Sequence, residues 1–330
     1  MPKCIKVYKK YAETLRRLLL TRGFLDTEYR ITIDKDYVLI PIVEHTSLDL
    51  IHDIIEKYNA EIITNCTLEH YRMRKKELKP PSYDMVGDIA IVREKVVENK
   101  KEEIIETLKQ LHPRLKAIYV KEYTTGIHRT AKLRLLWGNE VDHVIHKEYG
   151  LRFYIDIHNV YYNPRLSTEH RRIAEDIRNG ELVIDLFCGI GGFTLHATAL
   201  KRITVIANDI NPYAIYCLLK SIILNKKRLK GDIILSINDA YKIHSILKEK
   251  IADRIIANLP HSSHLFWNTY NYLSHRNTIL HLYSIASTEK DLLSFMEKYL
   301  ERYLWDIMGV RKVLDYSPYR YIYRVDLVKL

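Results

Sequence analysis

Between Leu182 and Glu301 short apolar runs alternate with helical segments, and this alternation restricts the possible folds more than any other feature of the chain. The runs are Leu182–Phe187, Ile203–Asn208, Asp232–Ser236, Arg254–Leu259 and Thr278–Tyr283. Helical segments follow from Phe193, over Pro212–Asn225, and near 241–249, 262–274 and 288–301. Alternation at this pace predicts a doubly wound, mostly parallel sheet. The last runs, Val310–Val313 and Tyr319–Leu327, have no helix between them and are expected to close the sheet as an antiparallel edge.

The first half reads differently. Residues 1–65 suit a small α/β unit. Tyr11–Gly23 carries helical apolar spacing (Leu15, Leu18, Leu19) and ends at a glycine C-cap. Tyr37–Val43 is a β-like run interrupted by Pro41, which points to an edge strand. Leu48–Tyr58 is again helical. A basic stretch from Arg72 to Lys79, including Arg74, Lys75 and Lys76, stops at Pro80-Pro81 and reads as a linker. Residues 82–165 mix β-like runs (Asp88–Val92, Ala117–Val120, Leu133–Trp137, Phe153–Val160) with a helix over Glu98–Leu111, an α+β pattern.

Composition narrows the function classes. Hydrophobic residues at 47% and charged residues at 28% exclude wholesale disorder, and 11 Gly with 9 Pro exclude collagen-like chains. Lys and Arg outnumber Asp and Glu by 52 to 41, a surplus of +11 that suits a polyanionic partner. The 25 tyrosines are either stacking platforms for bases or core and rim residues. Cys4, Cys66, Cys188 and Cys217 form no C-x-x-C pair, so four reduced thiols and a cytoplasmic protein are expected. No signal peptide is expected from the first residues. The apolar stretch Leu182–Leu200 approaches membrane-span length but holds Asp185 and three glycines, so no membrane contact is expected.

The strongest local signal is Val183-Ile184-Asp185-Leu186-Phe187-Cys188-Gly189-Ile190-Gly191-Gly192-Phe193, a strand running into a glycine-rich bend and then a helix. Thr194 stands where a dinucleotide fingerprint would have its third glycine. Asp185 opposes a pyrophosphate but suits a cation. S-adenosylmethionine carries a sulfonium and an amino group, so the pattern favours a class I methyltransferase over a dehydrogenase. Asp209, ending the next run, is placed to accept ribose hydroxyls, with Asn211 and Pro212 opening the following helix. Asp209 and Asn211 equally suit capping. Asp239 either accepts the adenine amino group or caps a strand end. Asn258-Leu259-Pro260 belongs to the loop class that presents an amide to a planar nitrogen substrate. His261 and His264 have i, i+3 spacing but no third ligand nearby, so no metal is expected. In Asn163-Pro164-Arg165-Leu166-Ser167-Thr168-Glu169-His170-Arg171-Arg172, Ser167 or Thr168 suits a helix cap and Glu169 the matching capping box.

Together these blocks resemble the archaeal and eukaryotic type of class I tRNA (guanine-37-N1)-methyltransferase. Tyr83–Ala90, Gly126-Ile127-His128-Arg129, Arg311-Lys312-Val313 and Tyr316-Ser317-Pro318-Tyr319 extend the resemblance over nearly the whole chain. It implies a Rossmann-like catalytic sheet in residues 166–330, preceded by a small tRNA-recognition domain (1–70) and a middle α+β domain (71–165). It implies S-adenosylmethionine as cofactor, held by Asp185, Phe187, Gly189, Gly191, Asp209, Asn211, Asp239 and Asn258. It implies Glu169 as the base for guanine N1, Arg129 stabilising O6, and Asn258 and Pro260 holding the base. Arg165, Arg171, Arg172 and the basic linker would meet tRNA phosphates. A monomer is expected. A neighbouring branch methylates carbon 7 of the tricyclic wyosine precursor in tRNA-Phe, and this stays open as a sole or second activity. A further branch transfers the aminocarboxypropyl group, but Asn163–Leu166 is not its serine-glycine-asparagine block. A non-catalytic RNA-binding protein, or a protein or DNA methyltransferase, is less favoured.

Overall fold

A computed structural model describes residues 2–70, 82–97, 100–126 and 130–330. It forms two compact units, Met1–Leu78 and Lys79–Leu330.

In the first unit β1 (Lys3–Tyr8) is followed by α1 (Lys9–Thr21), β2 (Thr32–Asp34), β3 (Tyr37–Ile42), α2 (Leu48–Tyr58) and β4 (Glu61–Thr64). The sheet order is β2-β3-β1-β4. Leu15 and Leu19 of α1 and Ile51 and Ile54 of α2 bury against Ile5, Val7, Val38 and Ile40. Gly23, at φ 74°, turns the chain out of α1 as expected. Two expectations are corrected. The strand with Pro41 is interior, paired with β1 on one side and β2 on the other. Pro41 is tolerated because β2 reaches only Tyr37–Leu39; past its end the Pro41 carbonyl accepts the Asp26 amide at 3.1 Å, a contact that needs no N–H from the proline. Cys4 and Cys66 are not thiols; they form a disulfide with Cα atoms 6.2 Å apart. Antiparallel pairing of β1 with β4 brings the two cysteines together across 62 residues, a proximity that their spacing does not signal. Cys188 and Cys217 are free and buried.

The second unit opens with β5 (Tyr83–Val86), β6 (Ile89–Arg93), α3 (Glu94–Val97), α4 (Lys101–Leu111), β7 (Ala117–Thr125) and β8 (Thr130–Gly138), in sheet order β5-β6-β7-β8. A hairpin of β9 (His143–Glu148) and β10 (Leu151–Asp156) turns at Tyr149 and Gly150, both with positive φ. Then follow α5 (Ser167–Asp176), β11 (Leu182–Asp185), α6 (Gly192–Leu200), β12 (Thr204–Asp209), α7 (Pro212–Asn225), β13 (Asp232–Ile237), β14 (Ala252–Ala257), α8 (Trp267–Leu273), β15 (Ser274–Ala286), α9 (Glu289–Tyr303), β16 (Trp305–Ser317) and β17 (Arg320–Lys329). The sheet order is β13-β12-β11-β14-β15-β17-β16. Strands β11 to β15 run parallel, and β17 pairs antiparallel with both β15 and β16. This is the expected doubly wound, mostly parallel sheet with its antiparallel edge.

Alternate residues feed two cores. Val183 and Val205 point to one face, Ile184 and Ile206 to the other. The first core also takes in Tyr119 and Phe153, so residues before and after 165 share one hydrophobic interior. The apolar stretch 182–200 divides into β11 and α6, and no helix among the described residues is long and apolar enough to cross a membrane. The segment near 241–249 is a 3-10 turn over Ala240–Ser245 and not an α-helix. Asp239 opens that turn, its Oδ1 accepting from the Tyr241 amide at 3.0 Å.

Candidate active site

Parallel strands end together, and a crevice opens where the winding direction reverses, here between β11 and β14. A cavity of about 770 Å³ lies there. Its wall includes Phe187, Gly189, Asp209, Asn211, Asp239, Asn258, Pro260 and Arg165. Eight of the predicted residues are thereby brought to one cavity from a span of 95 positions between 165 and 260. Arg129, Arg74, Lys75 and Lys76 lie outside the described residues.

The glycine bend has a specific geometry. Gly189 (φ 54°) and Gly191 (φ 87°) adopt the left-handed conformation. A side chain on Gly189 would project into open space, whereas a Cβ on Gly191 would lie 2.3 Å from a Leu218 methyl carbon. Asp209 fixes the bend, its Oδ2 accepting the Gly189 amide at 2.8 Å and its Oδ1 the Asn211 amide at 2.9 Å. Asn211 caps α7 through the Tyr213 amide and donates to the Asn159 carbonyl. The capping roles of Asp209, Asn211 and Asp239 are therefore all occupied while each still lines the cavity.

Asp185 is fully buried beneath the bend, off the cavity wall. Thr194, at the position that argues against a dinucleotide fingerprint, donates its hydroxyl to Asp185 Oδ2 at 2.7 Å. Asp185 Oδ1 has no hydrogen-bond partner. Burial pushes the Asp185 carboxyl up to about 7, against the Thr194 hydrogen bond. An unsatisfied buried acceptor below a glycine cradle fits a cationic ligand, as the sulfonium cofactor implied by the resemblance is. Phe266 stacks on Tyr241 at 4.2 Å between ring centroids and meets Phe187 edge-on at 4.9 Å, and the three rings form an aromatic part of the cavity wall.

Glu169 departs from expectation. No side chain caps α5; Asn163 instead caps the 3-10 turn Pro164–Leu166 just before it, accepting the Arg165 amide at 3.1 Å. The Glu169 carboxylate is 2% exposed and stands behind the cavity wall rather than in it. It accepts from Arg172 (2.7 Å), Tyr283 (2.9 Å) and Arg324 (2.6 Å). Arg171 pairs with Glu175, and Arg165 with Asp84 across the cavity rim.

Sequence reading missed His170, Tyr283, Arg324 and the group around Glu148. Glu148 Oε2 lies 3.0 Å from His170 Nδ1 and 2.9 Å from His196 Nε2, and Tyr162 donates to Oε1 at 2.5 Å. Burial works against the Glu148 charge, but these donors prevail and hold its carboxyl well below the usual range. Burial lowers His196. Glu148, His170 and His196 bring one ligand atom each within 4.8 Å of one another. The cluster ties β9, α5 and α6 together beneath His170, which lines the cavity. No local spacing could reveal it, because the partners are 22 and 48 residues from Glu148. His261 and His264 face different neighbours, Tyr316 and Phe295.

Comparison with known proteins agrees with this geometry. Residues 144–306 match the TRM5/TYW2 methyltransferase domain, residues 4–47 the tRNA methyltransferase 5 N-terminal domain and residues 51–141 the TYW2 N-terminal domain. The tRNA (guanine(37)-N(1))-methyltransferase Trm5b of Methanocaldococcus jannaschii is 31% identical over 99% of this chain and 98% of its own. The tRNA 4-demethylwyosine(37)-methyltransferase Taw21 of Saccharolobus solfataricus is 29% identical over 74% of this chain and 92% of its own. Among solved structures, aTrm5 in complex with tRNALeu superposes with a TM-score of 0.67 and 30% identity, covering 100% of both chains. With its class I sheet, glycine bend and full-length similarity, the chain belongs to the TRM5/TYW2 methyltransferase family.

Proposed function

We propose that this enzyme methylates N1 of guanosine 37 in the tRNA anticodon loop with S-adenosylmethionine as donor. The reading is carried by one observation: a single cavity joins the glycine bend to the Asn258–Pro260 loop and to Arg165 at its rim. S-adenosylmethionine supplies an electrophilic methyl group on a positively charged sulfur. Glycines 189 and 191, Asp209 and the aromatic wall of Phe187 and Phe266 would hold it, with Asp185 below.

The target base must leave the anticodon-loop stack to enter the pocket. Asn258 and Pro260 would present a rigid polar edge to it. Guanine N1–H is too weak an acid to ionise freely near neutral pH, so a positioned base is needed. In this reading Glu169 accepts the N1 proton as N1 forms its bond to the methyl carbon. The electrons of the broken S–C bond remain on sulfur, and S-adenosylhomocysteine leaves. Arg129 would stabilise the developing charge on O6. Arg172, whose side chain is 36% exposed, holds Glu169 at rest and is the partner that an RNA phosphate can draw away. This chemistry requires in-line positioning and calls for no metal. The first unit would inspect the tRNA body, and the protein would act as a cytoplasmic monomer. The Cys4–Cys66 disulfide removes the thiol-based argument for that compartment.

Glu169→Gln tests the assignment. Single-turnover methyl transfer should fall by about 10²- to 10⁴-fold, the usual range for a lost general base, with cofactor affinity by calorimetry near wild type. Undiminished turnover would remove Glu169 from the mechanism. A second reading, methylation of carbon 7 of the tricyclic wyosine precursor, is favoured by the likeness to Taw21. Mass spectrometry of tRNA-Phe carrying either guanosine 37 or the precursor separates the two. No methyl gain on guanosine would eliminate N1 methylation.

A further inference from the structure

The two oxygens of Glu169 are held very differently. Oε1 accepts the Tyr283 hydroxyl from β15 and the Arg324 guanidinium from β17, and both donors are buried. Oε2 accepts from Arg172, one turn along the same helix and half exposed. One oxygen is thus bonded to the sheet, and the other to a side chain that can leave.

Arg324 is itself locked. Its Nη2 donates to Asp326 Oδ2 at 2.9 Å. Asp326 Oδ1 lies 2.6 Å from His281 Nδ1, and His281 Nε2 lies 2.7 Å from Arg254 Nη1. Arg254 closes on Glu181 through two bonds of 2.7 and 3.0 Å. Burial opposes the charge on Arg324, but Glu169 and Asp326 outweigh it and raise its pKa above the ordinary value. The series of partners crosses β17, β15 and β14 through residues between 2% and 20% exposed at the side chain. A lone arginine on a mobile stem could follow a moving carboxylate. This one is fixed at both ends and cannot do so without breaking buried charge pairs.

On the other flank of α5, His170 shares Glu148 of β9 with His196 of α6 and makes no bond to Glu169. Among the described residues, the charged and titratable groups bonded to Glu169 are therefore Arg172, Tyr283 and Arg324, with Asp326 and His281 behind them.

We infer that Arg324 and Tyr283 are positioning residues for the base: they clamp Oε1 to the sheet, so that Oε2 alone is presented to guanine once RNA takes up Arg172. This rests on the proposal that Glu169 is the base, and it adds which oxygen reacts and what aims it. Loss of the clamp should leave the carboxylate in place chemically but free to rotate, and misaimed groups cost rate without costing affinity.

The test compares Arg324→Met, Arg324→Lys, Tyr283→Phe and Glu169→Gln in the full chain, each checked for folding by thermal melting. Single-turnover rates are measured at saturating tRNA and S-adenosylmethionine, alongside cofactor affinity and KM for tRNA. Arg324→Met should lose ~10- to 100-fold in rate, the scale of a misplacement near 1 Å, with affinity and KM within about twofold of wild type. Arg324→Lys should recover part of that loss, because it restores a donor but not the planar fork. Tyr283→Phe keeps the ring and should fold even if Arg324→Met does not; its rate should fall severalfold. An inactive Glu169→Gln with wild-type rates in Tyr283→Phe and in any folded Arg324 variant overturns the clamp and leaves the base intact. Rate loss matched by equal loss of cofactor affinity also overturns it, since that marks collapse of the sheet end. Full activity in Glu169→Gln overturns the base and the clamp together.

Discussion

Asp185 shows how a residue that stands out in the sequence acquires its properties from burial. Its position before the glycine bend suggests a cation partner, yet it does not line the cavity and bonds Thr194 instead. Burial raises its carboxyl to about 7. A carboxyl raised on folding contributes stability below its unfolded value and loses it as pH climbs to the folded value, because the native state then binds the extra proton. Between about pH 4 and 7 this group alone should cost the apo enzyme on the order of 3–4 kcal/mol, an upper figure since other groups titrate. Asp185→Asn should flatten that decline, read as the difference in denaturation free energy between pH 5 and pH 8. An equal pH dependence in the variant would show that the buried acid is not responsible. Bound S-adenosylmethionine should reduce the wild-type decline, since a cation nearby favours the ionised carboxyl.

At the scale of elements, the bend between β11 and α6 carries the strictest demands. Gly191 combines φ 87° with a Leu218 methyl carbon 2.3 Å from where a Cβ would be. Gly191→Ala should destabilise the fold by about 1–3 kcal/mol through strain and overpacking, and weaken cofactor binding as the bend shifts. Chemical denaturation and calorimetry measure both. The strand–helix alternation from β11 to α9 was largely readable because the central strands are short apolar runs buried on both faces, set off by longer helical segments. Elements without that contrast were not. The β9–β10 hairpin places Glu148 beneath His170, but its polar edge (His143, His146, Lys147) hides the strand pattern. The 3-10 turn after Asp239 resembles a helix in composition and ends early.

Across the whole molecule, the surplus of positive charge, the two-unit architecture and the crevice beside the glycine bend are consistent with a substrate as large as tRNA. The first unit carries its own constraint in Cys4–Cys66, which closes a loop across 62 residues. By the chain-entropy account such a link is worth about 4 kcal/mol. Cys66→Ser should therefore lower the melting transition of that unit, as should reductant on the wild type, while cofactor affinity in the second unit stays unchanged. A melt indifferent to both would mean that the bridge adds nothing to stability. The amino-acid order alone determined the parallel sheet, its antiparallel edge, the bend at Gly189–Gly191 and the loop at Asn258–Pro260, because each is encoded by neighbours within one element. Tertiary structure alone decided that Glu169 is held by Arg324, 155 positions away, that Arg254 reaches Glu181 across 73, and that two cysteines bond. Such partners meet only after strands have chosen their order. Burial then makes each pairing obligatory, since an unpaired charge in that interior would be far costlier than the contact itself.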